Sequence, residues 1–192
     1  MEVVAVLFGI VSVWLSVRQN IWSWPTAIIN VSLYFVIFYR ERLYADMGLQ
    51  VFYAAISVYG WYHWLFGGVD RTELKVSLTP RWLWPVLLVI WAAGSGLLGT
   101  LLFQNTDAAL PYIDSLLTVG SLLAQWMMTR KYVENWAIWV TLDVAYVIVF
   151  LNRGLPLTAF LYFVYLLLAW RGFLEWRRSY QSTAPAVSPL PQ

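Results

Sequence analysis

The chain has 192 residues, of which 61% are hydrophobic and only 11% charged, with a formal net charge of +2. Soluble chains carry about 25% charged residues, so a water-soluble fold of this size could not hide so much apolar side chain. With no cysteine there are no disulfides and no thiolate metal sites, and so small a net charge gives no footprint for nucleic acid.

Crossing a bilayer takes about 20 mostly apolar residues. Seven such stretches follow in order, at 3–17, 22–39, 44–66, 82–103, 109–129, 133–151 and 155–176. The first has neither a basic leader nor a small-residue cleavage site after it, and reads as a retained span. Pro25, Pro111 and Pro156 fall in first turns, where a missing N–H is tolerated. Residues 67–81, GGVDRTELKVSLTPR, form the longest polar loop, and 177–192 read as a disordered cytoplasmic tail. His63, the single histidine, sits beside that loop and reads as interfacial rather than as a ligand. Many of the 13 Trp and 12 Tyr flank the apolar runs, where the water–lipid boundary favours a ring with a polar tip.

Seven spans put the termini on opposite sides. Arg18, Arg71, Lys75, Arg81, Arg130, Lys131, Arg171, Arg177 and Arg178 share one side, and only Arg40, Arg42 and Arg153 the other. Positive charge stays cytoplasmic, so the N-terminus is expected outside and the C-terminus inside.

Sliding the sequence by 112 residues aligns its rarer residue types without a gap. Trp14 falls on Trp126, Arg18 on Arg130, Trp24 on Trp136, Tyr34 on Tyr146 and Phe38 on Phe150. Leu43 falls on Leu155, Tyr53 on Tyr165, Gly60 on Gly172 and Trp64 on Trp176. Chance supplies shared Leu and Val between apolar helices, but seldom Trp, Gly and Arg. The expected fold is therefore an all-α integral membrane protein with seven transmembrane helices. Repeat one covers 1–66, a linker helix 82–103, and repeat two 109–176, in a single transporter domain 1–176. An odd number of spans per repeat plus one linker leaves the halves parallel, a recurring transporter plan with its site between the halves. This 3+1+3 arrangement resembles that of the SWEET sugar carriers, a likeness of fold that sets no substrate.

Polar groups at depth are costly, so they are paired or functional. In ENWAIWVTLDVAYVIVF, Asp143 lies near mid-span with Trp136 and Trp139 at i−7 and i−4, on one helical face. A carboxylate below two indoles suits a flat organic cation; a buried acid bonded to another helix is the alternative. In IWSWPTAIINVSLYF, Asn30 offers a donor and an acceptor, either to a ligand's amide or ribose or to a neighbouring helix. Trp24 is the repeat partner of Trp136. Asp46, Gln50 and Tyr53 share a face of the third span, and Tyr53 with Tyr165 would line a cavity from both halves, unless both serve helix packing. Gln125, nearer the cytoplasmic end of span five, is a weaker candidate, and Asp114 reads as a wetted first-turn acid. No nucleotide loop, metalloprotease motif, nucleophile elbow or Cys/His cluster occurs, which argues against a membrane enzyme and for a transporter without a cofactor; a non-transporting membrane subunit is the other reading. Few buried acids favour uncoupled movement.

The segment NIWSWPTAIINVSLYFVIFYRERLYADMGLQVFYAAISVYGWYHW resembles the first repeat of the PnuC family of bacterial vitamin carriers. ENWAIWVTLD is similar to that family's Trp-x-x-Trp motif followed after three residues by Asn or Asp, here Trp136, Trp139 and Asp143. The resemblance spans about residues 10 to 176. It implies uptake of nicotinamide riboside, thiamine or a related vitamin across the inner membrane by facilitated diffusion. Phosphorylation by a cytoplasmic kinase then traps the cargo, and the carrier is a homotrimer. The resemblance places Trp136, Trp139 and Asp143 in the substrate site, and the reading of the spans adds Trp24, Asn30, Gln50, Tyr53, Gln125 and Tyr165 as candidates. Either cationic vitamin satisfies the charge argument.

Overall fold

The structure is a computed structural model; it describes residues 2–42, 44–107 and 109–183, the side chains of Ala45 and Asp46 excepted. Seven helices follow in order: α1 (Glu2–Val17), α2 (Ser23–Arg40), α3 (Tyr44–Phe66), α4 (Leu83–Asn105), α5 (Pro111–Thr129), α6 (Asn135–Asn152) and α7 (Pro156–Thr183). A short 3-10 turn covers Val69–Arg71, and no strand occurs among the described residues. By length and composition α4, α6 and α7 can cross a membrane, and α1 is apolar but has 16 residues. Polar residues dilute α2, α3 and α5, which is the mark of helices that turn Asn, Gln, Tyr and Ser towards an interior.

Proline opens α5 and α7, where its missing N–H costs nothing and its fixed φ suits the helix. Four of the helices end on residues in the left-handed region, and these ends recur at the 112-residue spacing. Gln19 (φ 55°) and Lys131 (φ 52°) follow α1 and α5; Arg42 (φ 58°) and Gly154 (φ 70°) follow α2 and α6. Such a residue turns the chain and stops the helix.

Two expectations change. Residues 177–183 are not tail but the last turns of α7, while 184–192 lie outside the described residues, as do Leu43 and the Asp46 side chain. The helix continues because Trp176 is fully buried and Tyr180 packs on the same cluster, so the basic turn between them keeps an apolar edge. The 67–81 loop is also tied down. Leu74 N donates to Trp64 O, Ser77 N to Lys131 O and Val133 N to Ser77 O. The Glu134 carboxylate accepts from both Thr79 N (2.9 Å) and Thr79 Oγ1 (2.8 Å). Removing the acid strands two donors of a buried threonine. Glu134→Ala is therefore expected to cost about 1–3 kcal/mol and to speed proteolysis within 67–81; unchanged melting and cleavage would show the loop is held otherwise.

The strongest structural signature is a set of four buried indoles. Trp24 and Trp64 meet edge-on, with centroids 5.2 Å apart at 87°; Trp136 and Trp176 repeat this at 5.4 Å and 87°. Trp64 also touches Trp176, at 5.8 Å. Each outer indole caps a helix of the other half. Trp64 Nε1 donates to Met128 O at the end of α5 (3.0 Å), and Trp176 Nε1 to Ser16 O (3.0 Å) and Val17 O (3.2 Å) at the end of α1. Those carbonyls are among the last four of their helices, which have no partner within the helix. The helix ends are thus satisfied reciprocally across the halves. Arg18 over Trp14 (4.4 Å) and Arg130 over Trp126 (5.6 Å) repeat at the same spacing. Helix α4 leans on α5 through Trp91, whose Nε1 donates to Leu116 O (2.9 Å).

Candidate functional site

A cavity of about 290 Å³ opens among all the helices except α4. It contains every site residue expected from the sequence: Trp24 and Asn30 from α2, Gln50 and Tyr53 from α3, Gln125 from α5, Trp136, Trp139 and Asp143 from α6, and Tyr165 from α7. These residues come from helices far apart in the chain, and helical period alone turns each one inward.

Asp143 is 3% exposed and faces this cavity. Its carboxyl group has no hydrogen bond or ion pair to the described residues, and no Lys, Arg or His lines the space. A buried carboxylate without a partner is destabilising by several kcal/mol, a cost that a positive charge beside it would offset. Trp139, half-buried one turn before Asp143, offers its ring beside the acid. Trp24 and Trp136 are different. They are 2% and 1% exposed and mostly committed to the indole cluster, so they form the floor of the cavity. The indole N–H groups of Trp24, Trp136 and Trp139 are buried without an acceptor among the described residues.

Asn30 bonds to a neighbouring helix and also lines the cavity. Its Nδ2 donates to Ala5 O on α1 (2.6 Å), which leaves the side-chain oxygen as an acceptor at the cavity wall. Tyr53 and Ser121 share a hydrogen bond of 2.9 Å. Since Ser121 Oγ already donates to Thr118 O (2.8 Å), Tyr53 is the donor. In the other half Tyr165 approaches Gly9, the residue 112 positions before Ser121; a methyl group on Gly9 would lie 2.8 Å from its hydroxyl. The same tyrosine thus meets a serine in one half and a glycine in the other. Asp114, in the first turn of α5, is partly exposed and pairs with Arg153 at 3.7 Å. His63 stacks on Tyr59 and lies 3.3 Å from Arg130. Among the described residues no group of His, Cys, Asp or Glu could hold a metal.

Sequence reasoning passed over Tyr162 and the wall serines Ser12, Ser16 and Ser57. Tyr162 stacks on Tyr146 at 4.5 Å and roofs the cavity beside Tyr165. Its signal was the 112-residue spacing itself, since it is the counterpart of Gln50. Ser57 lies one turn beyond Tyr53, on the face that Gln50 and Tyr53 already marked.

Residues 1–178 match the family described as nicotinamide mononucleotide transporter. The chain is 30% identical to the nicotinamide riboside transporter PnuC of Escherichia coli (strain K12), over 93% of this chain and 85% of that one. It is 27% identical to the riboflavin/roseoflavin transporter RibM of Streptomyces davaonensis, over 99% and 91%. A crystal structure of the vitamin B3 transporter PnuC superposes with a TM-score of 0.71 at 26% identity, covering 93% of this chain and 81% of that chain.

Proposed function

Since the chain belongs to the nicotinamide mononucleotide transporter family, which includes the PnuC carriers, we propose that it takes up nicotinamide riboside by facilitated diffusion. The chain is a membrane transporter of the vitamin-carrying kind, not an enzyme. The observation that carries the finer one is Asp143, a lone acid facing a ring-lined cavity with no basic side chain on its walls. Nicotinamide riboside presents a flat pyridinium cation at one end and ribose hydroxyls at the other. In this reading the pyridinium lies on Trp139 beside Asp143, over the floor of Trp24 and Trp136. Asn30 and Gln50 accept or donate to the ribose or amide, and Tyr53, Tyr165 and Gln125 complete the walls. A phosphorylated product would set its negative charge against Asp143 with no cation to offset it. Phosphorylation by a cytoplasmic kinase therefore traps what has entered.

Orientation follows the excess of basic residues at the end that carries Arg18, Arg130 and Lys131, which we place in the cytoplasm of a bacterial inner membrane. All seven helices are taken to span, α2, α3 and α5 tolerating polar residues because these face the cavity. Repeat one (1–66) and repeat two (109–176) run parallel about the linker helix in the SWEET-like manner. The shared cluster of Val17 and Trp64 with Met128 and Trp176 supports this, because α1 and α5 bring the same end to it. A homotrimer is the expected assembly.

Thiamine is the second reading, because its thiazolium meets the same charge requirement. Riboflavin, the cargo in the name of RibM, is uncharged and would leave Asp143 unpaired. The deciding experiment is calorimetric binding of the three vitamins to purified protein. Nicotinamide riboside alone is expected to bind, and Trp139→Ala to weaken it by about 10- to 100-fold, the worth of one stacked ring. Binding of thiamine or riboflavin alone, or of none of the three, would overturn the proposal.

A further inference from the structure

A second cavity, of about 330 Å³, lies beyond the indole cluster on the basic side. Its walls include Gln19, Trp22, Trp64, Glu73 and Lys131. Two rings separate it from the central cavity: Trp24 lines the first space, Trp64 lines the second, and the two rings touch edge-on. A passage between the two spaces by way of these rings has to part this pair.

Trp64 is held at two points, both across the halves. Its Nε1 donates to Met128 O, and the Lys131 ammonium sits 4.4 Å from the centre of its ring. Lys131 is only 6% exposed and makes no hydrogen bond or ion pair through its side chain to the described residues. Burial pushes its ammonium below the ordinary lysine range, and Glu73 pulls it part of the way back. A buried cation whose main partner is an indole face is well suited to hold and to let go. The mirror position carries no such charge: 112 residues earlier stands Gln19, with the same left-handed backbone.

We propose that Lys131 latches the inner gate by pinning Trp64 across the two halves, so that release of this cation–π contact is a step in opening the central cavity to the cytoplasm. Lys131 touches no cargo and acts through Trp64 as a positioning residue. The latch is one-sided. Trp176 has two carbonyl acceptors and no cation over its ring among the described residues, so the Trp24–Trp64 side is the one whose opening the cation controls. The free volume of the second cavity gives the displaced indole somewhere to go. This inference rests on the transport reading above, but its test needs no cargo.

The chain has no cysteine, so a single reporter can be introduced cleanly. Ser57→Cys puts a thiol on the wall of the central cavity. Its modification by the membrane-impermeant trimethylammonium-ethyl methanethiosulfonate is followed in inside-out vesicles, which present the cytoplasmic face. Adding Lys131→Gln, the residue of the mirror position, is expected to raise the inside labelling rate by roughly 5- to 30-fold, the worth of one desolvated cation–π contact. Lys131→Arg keeps a cation that stacks on indole and is expected to stay near the native rate, which a merely structural role for the lysine would not require. In a Trp64→Phe background Lys131→Gln should add less than about twofold, because the two changes remove one interaction. Should Lys131→Gln fail to insert, Trp64→Phe alone, with a weaker face and no N–H donor, carries the same expectation of faster labelling. Equal inside labelling of Ser57→Cys with and without Lys131→Gln, or an equal rise with Lys131→Arg, overturns the latch. A wrong cargo assignment would leave the labelling result unchanged.

Discussion

Asp143→Asn is expected to abolish the preference for a charged cargo while sparing the fold. The measurement compares nicotinamide riboside with its reduced dihydro form, which keeps the ribose and the carboxamide but loses the ring charge. Native protein should bind the cation more tightly by about 10- to 100-fold, the range for a charge-assisted contact in a desolvated site. In Asp143→Asn that ratio should collapse to near unity, with the loss confined to the cation. Asn matches Asp in volume, so the wall keeps its shape. A second sign follows from burial. Without cargo, Asp143 is 3% exposed and has no partner among the described residues, and such a group is destabilising. The empty Asp143→Asn protein should therefore melt above the native one, while added riboside should raise the native melting point far more than the mutant's. If the substitution weakened both forms equally, Asp143 would be shaping the cavity and not reading charge, and the cationic cargo would lose its main support.

The wall containing Asp143 was legible in the sequence because a helix leaves few choices. Trp136, Trp139 and Asp143 recur at one-turn and two-turn spacing in a span too apolar to carry an idle acid, and the cavity indeed runs along that face. Gln50 and Tyr53 were found by the same reasoning on α3. What failed to show was whatever depends on a partner from another helix. The spacing of 112 residues paired Gly60 with Gly172 and Trp64 with Trp176, yet nothing in it said that each glycine lies under the ring of a tryptophan from the preceding helix. Nor did it say that Trp64 and Trp176 cap helices of the opposite half. Ser12, Ser16 and Ser57 escaped notice because a serine in a span reads as ordinary helix packing until a cavity stands against it. The end of α7 was misplaced for a related reason: RRSYQST looks like tail by composition, and only the contact of Tyr180 with the buried indoles keeps it helical.

Gly60→Ala and Gly172→Ala are expected to impair binding although neither glycine lines the cavity. A methyl carbon on Gly60 would lie 2.4 Å from Trp24 Cη2, and one on Gly172 would lie 2.6 Å from Trp136 Cδ2. Carbon atoms rest comfortably at about 3.5–4.0 Å, so each ring would have to retreat. Neither has space behind it: Trp24 abuts Trp64 and Trp136 abuts Trp176, in edge-on contacts that are fully buried. The remaining direction is into the cavity that both rings floor. Overpacking of this kind costs about 1–3 kcal/mol, and a floor pushed upward should weaken cargo binding by roughly tenfold to a hundredfold if that cost falls on the bound state. Gly48 gives the opposite sign. Nothing lies within 4 Å of a methyl placed there, so Gly48→Ala gains helix propensity and should stabilise by about 0.5–1 kcal/mol with affinity unchanged. Melting in detergent and calorimetry on the three variants separate the cases. If all three shift alike, glycine's backbone freedom is the cause; if Gly60→Ala and Gly172→Ala fall together while Gly48→Ala rises, the two matched ring-on-glycine contacts set the depth of the floor in both halves.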